Sequence, residues 1–243
     1  MAVILESSGQ CPICGDGATF QAHHPWLRDA FVCLRCGSLP RERALMAVLN
    51  ERFPHWRQLK IHESSPVLRG VSSRLMEDCS GYVPTQYFQN EPLGVSYQGV
   101  RCENLECLTF DDSSFDLHIT QDVMEHVLDP ALAFRELART LKPGGAHVFT
   151  VPLVNKSLPS VVRARGLPDG SVDRLLEPVF HGNPINEEGA LVTRDWGFDI
   201  CRFIFEVSGL YTDTIFIDDL SRGIRAEYIE VLVTWKPSLV AQD

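Results

Sequence analysis

Four cysteines stand as two pairs, Cys11-Pro-Ile-Cys14 and Cys33-Leu-Arg-Cys36, with eighteen residues between them. Each C-x-x-C hairpin lets two thiolates converge on one tetrahedral ion. The glycine after each pair permits the tight turn that aims backbone N–H groups at the sulfurs. This is the spacing of a zinc ribbon, and a redox dithiol is the other chemistry such pairs can carry. Four thiolates fill a tetrahedral shell, so the ion would be structural, with His23 and His24 left as loop residues. Farther along, Thr120-Gln121-Asp122 closes an apolar run and Glu125-His126 follows one turn later. His181-Gly182-Asn183 is a second polar group. Histidine titrates near neutrality, so His126 and His181 are candidates to take a substrate's proton; His126 could equally brace its loop by hydrogen bonding.

Specific elements must position these groups. Phe115–Thr120 and Ala146–Val151 read as short buried strands. Between them a helix starts at the N-cap Asp129 and Pro130 and carries Ala133, Phe134, Leu137, Ala138 and Leu141 on one face. It stops at Lys142-Pro143-Gly144-Gly145. Strand, helix, strand is a right-handed crossover between parallel strands, and ligands bind beyond the carboxyl ends of such strands. Here that means Thr120–His126 and Val151–Val154.

Upstream, a helix with Leu45, Val48, Leu49 and Phe53 on one face runs to Pro54 and packs the ribbon against the rest. Arg35, Arg41 and Arg43 beside it form either a solvated face or a meeting point for phosphate or an acidic substrate. A strand leads into Glu63-Ser64-Ser65-Pro66, a helix spans about Val71–Cys79, and a second strand lies near Tyr82–Phe88. A helix over Phe198–Leu210 precedes strands at Thr214–Ile217 and Ala226–Trp235. Residues 153–199 are too long for a routine connection, and such insertions at a ligand edge tend to be functional.

The chain has 243 residues, 22 Lys and Arg against 32 Asp and Glu, and a formal net charge of −10. That length fits one medium α/β domain with a small appendage, and the charge argues against a phosphate-gripping nucleic-acid binder. No apolar run is long enough to span a bilayer, and the N-terminus lacks a basic-then-apolar leader. The paired cysteines fit metal ligation in a reducing cytoplasm.

Leu108-Thr-Phe-Asp-Asp-Ser-Ser-Phe-Asp116, Thr120-Gln-Asp-Val-Met-Glu-His-Val127 and Leu141-Lys-Pro-Gly-Gly145 together resemble the class I S-adenosylmethionine-dependent methyltransferases, in particular their type 11 branch. The resemblance is closest over residues 100–152 and does not reach residues 1–50. It implies an α/β, Rossmann-like sheet of seven mostly parallel strands with an antiparallel last strand, preceded by the small zinc ribbon. The implied boundaries are 1–40 for the ribbon, 41–56 for a linker helix and 57–236 for the methyltransferase domain, with 153–199 as an acceptor cap. S-adenosyl-L-methionine is the implied cofactor.

By position, Glu63 would be the acid ending the first strand. Ser64, Ser65 and Pro66 stand where the family places glycines, and Gly70 is the only glycine of that loop. Gln86 and Tyr87 would face the ribose, Tyr87 as a lid or a packed aromatic. Glu103, Asn104 and Leu105 would meet the adenine or form a surface loop. Thr120, Gln121 and Asp122 would meet the methionine carboxylate or ribose, and His181 and His126 would be the candidate bases. Trp196 would stack on a substrate ring or pack the core of the cap. The implied reaction is methyl transfer to an oxygen or nitrogen of a small acceptor, such as a carbohydrate or secondary metabolite. An RNA methyltransferase gripping RNA through its ribbon, or a non-catalytic binding module, are the alternatives.

Overall fold

A computed structural model describes residues 2–183 and 188–238. The ribbon comes first, with antiparallel strands β1 (Leu5–Cys11), β2 (Gly15–Ala22) and β3 (Val32–Cys33) and a single helical turn, α1 (Leu27–Ala30). Helix α2 (Pro40–Arg52) follows with proline at its first position, and the Glu42 carboxylate accepts from the Leu39 N–H at 2.9 Å. That closes one of the otherwise unpaired donors of the helix N-terminus.

The main sheet uses β4 (Lys60–Ser64), β5 (Gly81–Gln86), β6 (Ser96–Tyr97), β7 (Val100–Cys102), β8 (Phe115–Gln121), β9 (Leu141–Thr150), β10 (Tyr211–Ile215) and β11 (Val231–Trp235). Their spatial order is β10-β11-β9-β8-β4-β5-β7-β6. Strands β9, β8, β4, β5 and β7 are parallel, and β11 runs antiparallel between β9 and β10. The sheet therefore has the expected seven strands, plus a two-residue edge strand, β6, that sequence periodicity is too short to reveal. Helix α3 (Gly70–Asp78) packs on one face, and α4 (Pro130–Thr140) and α5 (Ile200–Ser208) form the other layer. The Asp129 carboxylate accepts from the Leu132 N–H at 3.0 Å, as an N-cap should. After Thr140 the chain enters β9 directly. The Lys142-to-Gly145 segment is a register shift against β8, where a side chain on Gly145 would strike the Asp116 carbonyl at 2.7 Å. Strand order reverses between β4 and β8, which puts the ligand edge at the carboxyl ends of these two strands.

The ribbon is not a loose appendage. Phe20, Phe31, Leu45, Met46, Leu49, Ile61, Leu117, Val148 and Val231 are buried in one continuous core. Arg43 fastens it: this fully buried guanidinium lies over Phe20 and Phe31 and donates to the carbonyls of Ser38, Phe31 and Gly223. Burial lowers its pKa to about 10, so it stays charged at neutral pH. The solvated-face reading of the arginine cluster thus holds for Arg35 alone. Among the described residues no helix is long and apolar enough to cross a membrane.

The apolar run of each central strand is interrupted by a histidine: His62, His118 and His147 sit side by side across β4, β8 and β9. All three are buried and hydrogen bonded. His62 and His118 share a 2.8 Å contact between their Nδ1 atoms, with Thr85 and Thr140 at the outer nitrogens, while Nε2 of His147 meets Thr120. Burial pushes the pKa of His62 and of His147 down to about 3. An unfolded histidine titrates near 6.5, so between 6.5 and 3 the unfolded chain binds protons that the folded chain refuses. Their neutral burial therefore leaves stability intact above pH 6.5 and erodes it as the pH falls towards 3. His147→Gln, which keeps polar atoms but does not titrate, should flatten the stability-versus-pH slope between 6 and 4 by about 1.4 kcal/mol per pH unit. Urea unfolding of both proteins across that range measures it, and because zinc release would affect both alike, equal slopes would refute the assignment.

Candidate functional site

The four ribbon cysteines converge. Sγ of Cys11 lies 3.9 Å from that of Cys36, and Sγ of Cys14 lies 3.8 Å from that of Cys33. All four sulfurs are within 4.8 Å of one another. Zinc–sulfur bonds of about 2.3 Å in a tetrahedron imply sulfur separations of about 3.8 Å, so the cluster fits a zinc ion with its shell closed.

The second feature is a cavity of about 1590 Å³ along the carboxyl ends of β4, β5, β7 and β8, reaching the inner side of the ribbon and the cap. At its β4 end, Ser65 has φ of 56°, the left-handed backbone that glycine would adopt without strain, and its N–H donates to the Thr85 carbonyl at 2.8 Å. Serine thus takes up the left-handed turn at the position where the resemblance implies glycine. Gly70 starts α3 with φ of 58°, and a Cβ there would sit 2.5 Å from the Glu42 carboxylate, so a side chain would be strained and would displace that carboxylate. Ser64, Ser65, Gln86, Tyr87, Glu103, Asn104, Leu105, Gln121 and Asp122 all line the cavity.

Two expected cofactor residues do not reach it. Glu63 is buried on the α3 side of the sheet, where its carboxylate accepts from Ser72, Tyr82 and Gln121 at 2.7 Å each. Burial raises its pKa and these donors partly restore it. The Thr120 hydroxyl points to the other face and bonds His147. Glu63 therefore orients Gln121 and anchors α3. Glu103 lines the cavity, but its carboxylate is bound by Arg101 and Thr109, and the Asn104 side chain caps its own turn at the Glu106 N–H. Their side chains shape the loop, while buried Leu105 offers an apolar surface.

Asp122 is the junction. Arg28 of the ribbon places Nη2 at 2.8 and 2.9 Å from its two oxygens, and Arg41 of α2 approaches at 2.8 Å. Burial alone would raise the Asp122 pKa, but the two guanidiniums outweigh it and hold the carboxyl below its usual range. Arg28 also donates to the Tyr228 carbonyl at 3.0 Å. The ribbon thereby forms one wall of the cavity, adding Trp26 and Asp29. Nothing local to Arg28 in the sequence marks it for this role.

At the far end stand Glu125, His126 and His181. The cap is stitched to this segment: Thr193 donates to the carbonyls of Glu125 and Val127, and the pairing of Phe180–His181 with Ala190–Leu191 delivers His181. The His126 and His181 rings meet edge to face with centroids 5.0 Å apart. Burial brings the pKa of His126 down to about 4 and lowers that of His181, so both are neutral at pH 7. Trp196 is buried, donates to the Met124 carbonyl at 3.2 Å and packs on Phe203, which makes it part of the core beneath α4 and α5 and neither a stacking platform nor a core of the 153–199 segment itself.

Residues 82–149 match the family model described as a methyltransferase domain. That match covers 68 of the 243 residues, from β5 to the end of β9. Over 68 residues it is 32% identical to the ubiquinone biosynthesis O-methyltransferase of Coxiella burnetii, and the match covers 28% of each protein. The chain thus spans about 28% of the length of the curated relatives it matches. Among solved structures, an S-adenosylmethionine-dependent methyltransferase assigned in Listeria monocytogenes superposes with a TM-score of 0.50 at 9% identity, over 80% of this chain and 99% of that one. A second, from Mesorhizobium loti, gives a TM-score of 0.49 at 15% identity, over 79% and 97%. At such an identity the Listeria likeness establishes the fold alone.

Asp122→Ala would leave Arg28 and Arg41 without their partner at the centre of the domain. The expected loss is about 3 kcal/mol in chemical denaturation, the low end for a broken buried pair because the site is partly solvated. A loss under about 1 kcal/mol would show that the ribbon is held by its apolar core alone. Elemental analysis of the purified protein should return at least one zinc per chain, and stripping it with a chelator should lower the melting temperature.

Proposed function

We propose that this chain is an S-adenosylmethionine-dependent methyltransferase acting on an oxygen or nitrogen of a small-molecule acceptor. The observation that carries this reading is one continuous cavity with two chemically different ends. The end lined by Ser65, Gln86, Tyr87 and Leu105 suits an adenosyl group, with apolar surface for the base and amide and hydroxyl groups for the ribose. The end lined by His126 and His181 suits the acceptor. A single small ligand occupies roughly 300–1000 Å³, so about 1590 Å³ leaves room for two. The O-methyltransferase name of the Coxiella relative agrees with a small acceptor, and a net charge of −10 speaks against RNA.

The cofactor's sulfonium supplies an already electrophilic methyl carbon. The protein's contribution is then alignment of the acceptor with that carbon and removal of the acceptor's proton at the His126–His181 end. Gln121, whose amide N–H groups are held by Glu63 and Ser72, keeps its Oε1 as a fixed acceptor for the amino group of the methionine part. Closed by four thiolates, the zinc would take no part in the reaction and would hold the ribbon wall in place.

Calorimetry with S-adenosylhomocysteine tests this. Wild type should bind it, Tyr87→Ala and Leu105→Ala should each weaken binding by about tenfold, and His181→Ala should leave the affinity unchanged. Absence of binding by the zinc-loaded wild type would overturn the proposal, and a salt-sensitive gel shift with RNA would redirect the acceptor assignment to nucleic acid.

A further inference from the structure

We propose that Glu125, His126 and His181 form a second metal site, one that takes a divalent transition-metal ion such as Mn2+, Fe2+ or Zn2+ at the acceptor end of the cavity. Neither oxygen of the fully buried Glu125 carboxylate accepts a hydrogen bond. A buried carboxylate with no donor and no counter-ion is among the least tolerated arrangements in a protein interior. The nearby guanidiniums cannot supply the missing charge, because Arg28 and Arg41 are spent on Asp122. What faces Glu125 instead is imidazole. Its Oε1 lies 3.7 Å from Nε2 of His126 and 3.8 Å from Nδ1 of His181, and the three potential ligand atoms are within 4.8 Å of one another. Bonds of about 2.1 Å to a shared ion would bring such atoms to about 3.0–3.4 Å, so the two Glu125 contacts would close by about 0.3–0.8 Å.

The surrounding groups have the form of a ligand shell. Nδ1 of His126 is 2.9 Å from the Leu191 carbonyl, which can only accept, so this nitrogen carries the proton and Nε2 presents its lone pair towards Glu125. A ring nitrogen fixed to a backbone carbonyl is the usual outer support of a metal-binding histidine. Two imidazoles and one carboxylate favour transition ions over calcium or magnesium, which prefer all-oxygen shells. Three protein ligands also leave coordination positions open. His126 and His181 line the cavity, and the His181 side chain is 44% exposed to it, so the open side faces the acceptor.

This inference deepens the methyltransferase reading and rests on it for its chemistry. An acceptor hydroxyl on the open side would bind the ion through oxygen and release its proton to water. That oxygen's electron pair would form the bond to the methyl carbon as the carbon–sulfur bond breaks, the sulfur leaving with the bonding pair as neutral S-adenosylhomocysteine. The imidazoles would then act as ligands, and the ion would lower the hydroxyl's affinity for its proton.

The test is titration with Mn2+ of protein brought to one zinc per chain, followed by electron paramagnetic resonance, because the four thiolates retain that zinc and bind Mn2+ poorly. Wild type should take up one Mn2+, and Glu125→Gln and His181→Ala should each weaken uptake by about tenfold or more with the melting temperature held or raised. His181 stands on the exposed cap, so that variant keeps the test valid if Glu125→Gln fails to fold. Uptake no stronger in wild type than in His181→Ala, or none at all because Glu125 is simply protonated, would overturn the site. S-adenosylhomocysteine binding, measured on the same samples, separates the two failures: the homocysteine ligand bound without Mn2+ sinks only the metal site, and Mn2+ bound without it sinks only the methyltransferase reading.

Discussion

A carboxylate at the end of a central strand decides the shape of this molecule. Asp122 sits with φ of 53° where β8 gives way to the cavity, and it stays ionised because two guanidiniums from the N-terminal unit come to meet it. Without Arg28 and Arg41 a buried charge would be left unpaired, close enough to Glu125 that, after burial, it helps to raise that carboxyl's pKa. With them, the ribbon is drawn over the edge of the sheet and becomes the fourth side of the cleft. An ion on the four ribbon thiolates would thereby act at a distance: by fixing β1 to β3 it would fix where Arg28 can reach.

The interior follows a related logic. The central strands read as apolar, yet each carries a histidine that is buried, neutral and paired with a threonine or another histidine. Such a row specifies register more sharply than valine or leucine could, because a one-residue slip would leave its nitrogens unpaired. Glu63 works similarly on the opposite face, where three donors tie α3, β5 and the end of β8 to one carboxylate.

Much of this was legible in the sequence. The paired cysteines, the Asp129-Pro130 helix start, the parallel crossover and the ribbon-packing helix all follow from local spacing, and the structure has each of them. Serine in place of glycine at the first loop was legible as a departure, while its resolution was not: Ser65 takes up the left-handed backbone itself, and no propensity scale distinguishes that from a lost turn. Side-chain direction at strand ends was also hidden. Glu63 and Thr120 occupy the expected positions but look into the two layers of the sheet, since alternation sends only every second residue to a given side. Arg28 and His181 were harder still, because their meaning lies in residues about 94 and 55 positions away in the chain, separations that local pattern cannot bridge. Arg43 shows the limit from the other direction: an arginine on a helix looks solvated until the aromatic pair that encloses it is known.

The order of synthesis gives the ribbon an unusual history. Its four sulfurs lie within 26 consecutive residues, whereas the groups that cover its inner side, Asp122, Gly223 and Tyr228, come 94, 180 and 200 positions after the arginines they bind. A ribosome making this chain therefore finishes the knuckle long before its dock exists. Until those groups emerge, Arg28 and Arg43 lack these partners, and an ion on the four thiolates would hold the ribbon in shape.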